Sequence, residues 1–334
     1  MLFELQIMIA TTFNGLDPIE TRYKKAFDVF IENRKKGFEK TKFLVKSCFK
    51  YVARHKGLTV KALFRHFVCL LLCFISLFPI CILIINSTKS THEIISGLSF
   101  LPGGDFAENF AEAKGILYSY GLNLYTVIGR SCLISVTCSV VCTYIGAMCA
   151  YGFEYYNFKG KNTLWWPVFA SMMVPAVAGA VGYIKFVYKF HMYNHYYPII
   201  LVGIVIPSCV YFLRMYFHAF RLNEIIEAAR IDGCNEFKIF NKIIVPMIRP
   251  AILLQLIFNF ATNWNNTIYQ KLVLLDVKKK TISIFLNLFA GYNGASTDPG
   301  LFCFLLASTI PSFVVYILFS SGIMSRINIG SIKE

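Results

Sequence analysis

The sequence predicts an all-α membrane protein, and three observations predict it. Of 334 residues, 56% are hydrophobic and 15% charged, against about 25% charge in an ordinary soluble chain, and mean hydropathy is +0.57. Apolar runs close to the ~20 residues that cross a bilayer recur along the chain. Between the fourth and fifth runs lies a polar stretch of helical character about thirty residues long, well above a usual connection.

Residues 1–66 form a basic extension. Asp17-Pro18-Ile19-Glu20 reads as a helix start, and Tyr23, Ala26, Phe27, Phe30 and Ile31 then make an amphipathic stripe. Such a helix lies on the inner membrane surface or packs on the chain's own cytoplasmic side. The extension holds 14 of the 33 Lys and Arg. The net charge of +15 therefore marks topology or lipid contact beside a span, not nucleic-acid binding. The N-terminus lacks a basic region before an apolar core, so no cleavable signal peptide is expected.

The remainder, 67–334, divides into six spans at about 67–85, 124–153, 163–188, 196–217, 250–275 and 301–322. The first carries Pro79 near its outer end. A polar loop with Pro102-Gly103-Gly104 follows. Asn86-Ser87-Thr88 matches a glycosylation tripeptide and is expected to be unmodified. The second span is rich in small residues (Gly129, Ser131, Ser135, Ser139, Gly146, Ala147, Ala150) that let helices approach closely. The third holds Pro167 and Pro175. Short turns at 154–162 and 191–195 flank it, and 276–300 reads as a loop with Lys278-Lys279-Lys280. Most of the eleven Cys, among them Cys69, Cys73, Cys132, Cys138 and Cys142, lie in apolar runs and read as small buried hydrophobes.

With both termini inside, inner segments hold 23 Lys and Arg and outer segments 6; without the extension the balance is 9 to 6. This orientation puts residues 218–249 in the cytoplasm.

Those residues have a mechanical reading. Asn223 to Ile231 forms a short helix with Ile225, Ile226, Ala229 and Ile231 on its apolar side. Ala228 and Ala229 are small enough for another backbone to come close. Gly233 supplies a break or a positive φ. Asn235 caps a second helix, Glu236–Ile244, and Pro246 ends it and turns the chain toward the fifth span. The result is a bent helical pair with an acid at Glu227, suited to a groove on a partner.

The combined spacing of Glu227, Ala228, Ala229, Gly233, Ile243 and Pro246 resembles the EAA loop of binding-protein-dependent ABC permeases of the type I importer fold. Arg214-Met215-Tyr216-Phe217, Asn223-Glu224-Ile225, Arg230-Ile231-Asp232-Gly233, Glu236-Phe237, Ile248-Arg249-Pro250-Ala251 and Trp264-Asn265 are similar to the carbohydrate branch, particularly the smaller permease of maltose-type systems. The chain departs from that branch at Leu222, Ile226, Val245 and Gln270 and in its long N-terminal extension.

The resemblance implies six transmembrane helices, a second homologous permease, two ATP-binding subunits and an extracytoplasmic solute-binding protein. It implies that Glu227, Ala228, Ala229, Asp232, Gly233, Phe237 and Pro246 couple to the ATPase. It also implies that Gly291, Tyr292, Asn293 and Gly294 form a loop tip reaching the binding protein, and that the tail at 328–333 approaches the ATPase. The sequence has no G-x-x-x-x-G-K-[ST] phosphate loop, so Mg-ATP is expected in a partner chain and this subunit is not expected to be an enzyme. A bacterial plasma membrane is the expected location.

Polar residues inside spans are costly and mark pathways. Arg130, Lys185, Arg214, Asn259, Asn263, Trp264 and Asn265 qualify. Asn259 and Asn263 share a helix face and, with Trp264, offer hydrogen bonds and an aromatic surface to a sugar; hydrogen bonding between helices is the alternative use. His92-Glu93-Ile94-Ile95-Ser96 lacks the second His of a zinc motif, and His191 and His195 lack a third ligand, so no metal site is expected. The same fold could instead serve a polyamine or an amino acid. A secondary carrier or a membrane-embedded enzyme is the reading from another class, and the EAA spacing speaks against it.

Overall fold

A computed structural model describes residues 60–97, 99–290 and 297–330. The amphipathic stripe of the extension, the loop tip at 291–294 and the end of the tail, 331–334, lie outside the described residues. Regular structure among the described residues is entirely helical. The chain forms two compact units, 1–82 and 83–334.

The described part of the first unit is most of α1 (Val60–Ser87), which starts before the predicted span and runs through Pro79 without ending there. Such prolines are tolerated in lipid where neighbouring groups satisfy the freed carbonyl.

The second unit is organised around α4 (Leu124–Tyr155). Before it come α2 (Thr91–Ile95), closed by a capping box between Ser90 and Glu93, and α3 (Phe106–Ser119), which buries Asn109, Ala113 and Leu117. These three fall at i, i+4, i+8, so one stripe of a polar helix is enough to dock it. After α4 follow α5 (Lys161–Ser171), α6 (Ala176–Lys189), α7 (Tyr197–Ile204) and α8 (Pro207–Phe220). Next are α9 (Asn223–Ile231), α10 (Glu236–Met247), α11 (Arg249–Trp264), α12 (Ile268–Val273), α13 (Ile282–Ala290) and α14 (Pro299–Gly330). Helices α7, α8 and α11 pack along α4; α14 packs on α11 and α3.

The small residues of the second span explain this centre. Ser131, Ser135, Cys138, Ser139, Cys142, Thr143, Gly146, Ala147 and Ala150 are all buried. A Cβ at Gly146 would lie 2.8 Å from Cys209 Sγ of α8, so the glycine sets how closely the two helices approach. Gly129 is exposed and takes no part. Among the described cysteines none forms a disulfide; Cys138 and Cys142 are buried, while Cys69, Cys73 and Cys132 are partly so.

Among the described residues, four helical stretches are long and apolar enough to cross a membrane: Phe64–Ser87, Leu124–Tyr155, Tyr197–Phe220 and Pro299–Ser320. The predicted third span is not one helix. It divides into α5 and α6 because Pro175 has no N–H to donate and holds extended backbone (ψ 131°) before α6. The predicted fifth span is shorter than expected: α11 ends at Trp264, and α12 follows after Asn265–Thr267. Pro207 likewise opens α8 after a break in the fourth span.

The region 276–300, expected to be a loop, contains α13, with Ile282, Ser283, Ile284 and Phe285 buried. Ile282 N donates to Ser131 Oγ at 2.9 Å, and Ser283 Oγ donates to the Trp264 carbonyl. Arg130 is accounted for here: its guanidinium donates to the carbonyls of Lys278 and Lys280, the latter at 3.2 Å. Asn194 joins the same end. Its N–H donates to Val273 O at 2.8 Å, its side-chain oxygen accepts from Asp276 N at 3.1 Å, and its carbonyl accepts from Lys279 Nζ at 2.7 Å.

Candidate functional site: the 218–249 element

At the opposite end of α4, helices α9 and α10 form the bent pair. Helix α9 ends in a Schellman motif: Gly233 N–H donates to Arg230 O and Cys234 N–H to Ala229 O, both at 3.0 Å. Gly233 holds φ +77°, the left-handed conformation this cap requires. Asn235 caps α10 by accepting from Lys238 N at 2.8 Å.

Helix α9 has two unlike faces. Leu222, Ile226 and Ala229 are buried at i, i+4, i+7, in one cluster with Tyr151, Phe217, Ile239, Phe240 and Ile244. The two departures at Leu222 and Ile226 are therefore the anchors of the element. Asn223, Glu224, Glu227, Ala228, Arg230, Asp232 and Gly233 are exposed. Of the alanine pair, Ala228 faces outward and Ala229 serves the chain's own core. The expected apolar side also divides: Ile226 is 1% exposed, whereas Ile231 is 87% exposed. Phe237 is exposed beyond the turn, as is Pro246. The Glu227 side chain makes no hydrogen bond or ion pair with other described residues, while its backbone is part of α9.

Pro246 does not end the second helix. Helix α10 continues to Met247, and the bend of 83° into α11 falls at Ile248. Ahead of the proline, residues 240–244 form a π turn, with Val245 N–H donating to Phe240 O. A proline removes one helical donor and crowds the carbonyl four residues back, and π turns cluster at functional positions. Asn241 steadies this turn: its Nδ2 donates to Phe237 O at 2.9 Å, and its Oδ1 accepts from Tyr144 of α4 at 3.0 Å.

Charged and aromatic groups tie the pair to α4. Arg230 Nε donates to Glu236 Oε1 at 2.6 Å, and Tyr151 OH donates to Glu236 Oε2 at 3.1 Å. The Arg230 guanidinium sits 5.6 Å from the Tyr156 ring centre. The hydrogen bond from Arg230 holds the Glu236 carboxyl below its ordinary range and raises the guanidinium's own pKa. Burial, with Glu236 nearby, pushes the Tyr156 hydroxyl up to about 12. Tyr155 OH donates to Phe217 O at 3.1 Å and accepts from Leu222 N at 3.3 Å. Glu154 accepts from Arg214 Nε at 3.2 Å and from His218 Nδ1 at 2.8 Å, and the Arg214 guanidinium lies 3.9 Å from the centre of the Trp165 ring. Tyr144, Tyr151, Tyr155 and Asn241 were not singled out by the sequence reading. Their signal was present: positions 144, 151 and 155 share a helix face.

In α11, Asn259, Asn263 and Trp264 are buried within the chain itself. Asn259 Nδ2 donates to Thr143 Oγ1 at 3.0 Å. Asn263 Nδ2 donates to Asn259 O at 2.9 Å and lies 3.5 Å from Gly203 O. Trp264 stacks on Phe260 at 5.5 Å. Asn265 is exposed and caps back to Ala261 O. Gln270, another departure, is buried and bonded to Thr281 and to Asn263 O. Lys185 is exposed on α6.

This geometry has counterparts. Residues 143–320 match the family described as binding-protein-dependent transport system inner membrane component. The arabinooligosaccharides transport system permease protein AraQ of Halalkalibacterium halodurans is 30% identical over 264 residues, 78% of this chain and 92% of the relative. AraQ of Bacillus subtilis is 27% identical, over 79% of this chain and 93% of the relative. The diacetylchitobiose uptake system permease protein NgcG of Streptomyces coelicolor is 26% identical, over 81% and 89%. The fold is shared with the crystal structure of a bacterial ABC transporter involved in the import of the acidic polysaccharide alginate. There the TM-score is 0.65 at 18% identity, covering 80% of this chain and 98% of that one. The matched stretch takes in the whole of the bent pair and its seat on α4, and the chain belongs to the family of binding-protein-dependent transport system inner membrane components, multi-pass membrane permeases with no strand among the described residues.

Proposed function

We propose that this chain is the transmembrane permease subunit of an ATP-driven importer and forms half of the translocation path for a carbohydrate, an oligosaccharide delivered by an extracytoplasmic binding protein. The observation that carries the reading is the two-faced α9: one face fixed in the chain's own core, the other presenting Glu227, Ala228 and Ile231, with Asp232, Gly233 and Phe237 at the turn. A rigid knob with an apolar tip and an acid suits a basic-edged groove on an ATP-binding subunit. The sugar-transport names of its relatives support the carbohydrate.

In this reading a second homologous permease completes the path, and two ATP-binding subunits hold Mg-ATP and hydrolyse it. Their closure moves the α9–α10 pair, and the helices exchange inward- and outward-facing states. This is a two-state element biased from both ends. Gly291, Tyr292, Asn293 and Gly294 reach the binding protein. Both termini are cytoplasmic in a bacterial plasma membrane, and the basic extension meets its lipids. Asn265 is the exposed polar residue of the α11 set, open to a solute; Asn259, Asn263 and Trp264 become accessible when α4 and α11 part.

The test is reconstitution of the chain with its second permease, ATP-binding subunits and binding protein, followed by a panel of oligosaccharides, polyamines and amino acids. An oligosaccharide is expected to stimulate ATP hydrolysis. Uptake by this chain alone, with no ATP-binding subunit, would overturn the reading.

A further inference from the structure

The inner end of α4 carries tyrosines at 144, 151 and 155. The spacing puts all three on one helix face, and each hydroxyl bonds a different point of the 218–249 element. Tyr155 holds the junction of α8 and α9 through Phe217 O and Leu222 N. Tyr151 holds the start of α10 through Glu236. Tyr144 holds the π turn through Asn241. Glu236 is the centre of this set. One carboxylate oxygen binds Arg230 on α9, the other binds Tyr151 on α4, and the residue itself opens α10. Both oxygens are thus committed, and three helices are held to one carboxylate. The rings support the same joint: Tyr151 packs at 5.4 Å from Phe240 and 6.2 Å from Phe217.

Displacement of the α9–α10 pair has two routes into the spans. One runs along the backbone into α8 and α11, which flank the pair. The other runs sideways into α4. Toward α11 the backbone route passes Gly233, the π turn and the 83° bend at Ile248, and toward α8 it passes Arg221, which holds φ +45° at the end of that helix; all are places where a helix yields. The sideways route passes hydrogen bonds to an unbroken 32-residue helix against which α7, α8 and α11 all pack.

We propose that the Tyr144–Tyr151–Tyr155 face of α4, joined through Glu236 and Asn241, is the route by which movement of the α9–α10 pair enters the membrane helices, with Glu236 as the positioning residue. This rests on the ATP-coupled reading above and adds to it where the motion goes. Charge-assisted hydrogen bonds are the strong ones, which is why the joint is centred on a carboxylate.

The experiment uses the full chain in complex with its ATP-binding subunits, trapped with Mg-ATP and orthovanadate, and reads amide hydrogen exchange. In the wild type, trapping is expected to change exchange both at 223–247 and at 144–156. In Glu236→Gln and Tyr151→Phe the change at 223–247 persists while that at 144–156 falls about threefold or more, the order expected for one lost hydrogen bond. Tyr151→Phe keeps the ring packing and removes only the hydroxyl that donates to Glu236, so a loss at 144–156 with the response at 223–247 intact separates the joint from simple misfolding. A full response at 144–156 in both single variants, or none there in a wild type that responds at 223–247, overturns the joint. A wild type in which trapping changes neither segment overturns instead the ATP-coupled reading beneath it.

Discussion

Arg230 and Glu236 meet across the turn made by Gly233, Nε to Oε1 at 2.6 Å. The pair closes the bent element on its outer side as the Ile226–Ile239 cluster closes it within. Both partners are partly exposed, 39% and 41%, so the pair's contribution to stability is screened and modest. Its pH dependence has a definite sign. The Glu236 carboxyl is held below its ordinary 4.5, so the folded state favours the ionised form. That contribution is complete above the ordinary value and disappears as pH falls through the lowered one. The thermal midpoint of the purified chain is therefore expected to exceed that of Glu236→Gln at neutral pH, with the gap closing below pH 4.5. A gap that widens on acidification would show that Glu236 is not held as its ion.

Gly233 is a cleaner backbone test. Nothing lies within 4 Å of a Cβ built there, and φ is +77°, so a substitution meets strain without a clash. The left-handed conformation costs an ordinary residue about 1–2 kcal/mol, less for Asn and more for a β-branched side chain. Co-purification of the ATP-binding subunit is expected to fall in the order Gly, Asn, Ala, Val, while membrane insertion is unchanged. Equal co-purification of Gly233→Val and wild type would remove the turn from the docking surface.

How far the sequence carries can be judged on these same residues. Gly233 and the Asn235 cap were legible because a cap needs a particular residue at a particular place. The inward and outward faces of α9 were not. Ile225, Ile226, Ala229 and Ile231 are equally apolar on paper, and only packing on Tyr151 and Phe217 decides that Ile226 is buried and Ile231 exposed. Pro175 breaks a third span expected to be continuous, whereas Pro246, expected to end α10, does not, because a π turn precedes it. Helix α13 was hidden by the lysines before it and the glycines after it, which made a buried apolar run look like part of a loop.

The alanine pair gives a prediction in which two neighbours behave oppositely. Ala229 is 6% exposed and Ala228 is exposed. Enlarging a packed core position typically costs about 1–3 kcal/mol. Ala229→Leu is therefore expected to lower the thermal midpoint of the isolated chain, and Ala228→Leu to leave it unchanged while weakening association with the ATP-binding subunit. Co-purification and thermal unfolding of both variants check this; the reverse pattern would mean that α9 is turned the other way.

Gly146 tests the α4–α8 contact. A Cβ would stand 2.8 Å from Cys209 Sγ, and Gly146→Val adds two methyl groups beyond that. Since overpacking costs about 1–3 kcal/mol, Gly146→Val is expected to lower both the yield of folded chain and its thermal midpoint. Adding Cys209→Ala, which removes the sulfur from the crowded space, is expected to recover part of the loss. No recovery would locate the crowding elsewhere.

Asn259 separates positioning from solute contact. Its amide donates to Thr143 Oγ1 at 3.0 Å and approaches Cys209 Sγ at 3.5 Å, and the side chain is 3% exposed. Hydrogen bonds between membrane helices average about 0.6 kcal/mol in double-mutant cycles. A cycle of Asn259→Leu and Thr143→Val on the thermal stability of the chain is expected to give a coupling of about that size. If positioning is its role, Asn259→Leu lowers the maximal transport rate through a changed balance of states and leaves the apparent affinity for the sugar where it was. A side chain that touches solute would instead raise KM, because a buried group that loses its partner discriminates strongly. A raised KM without any coupling to Thr143 would assign Asn259 to the solute path.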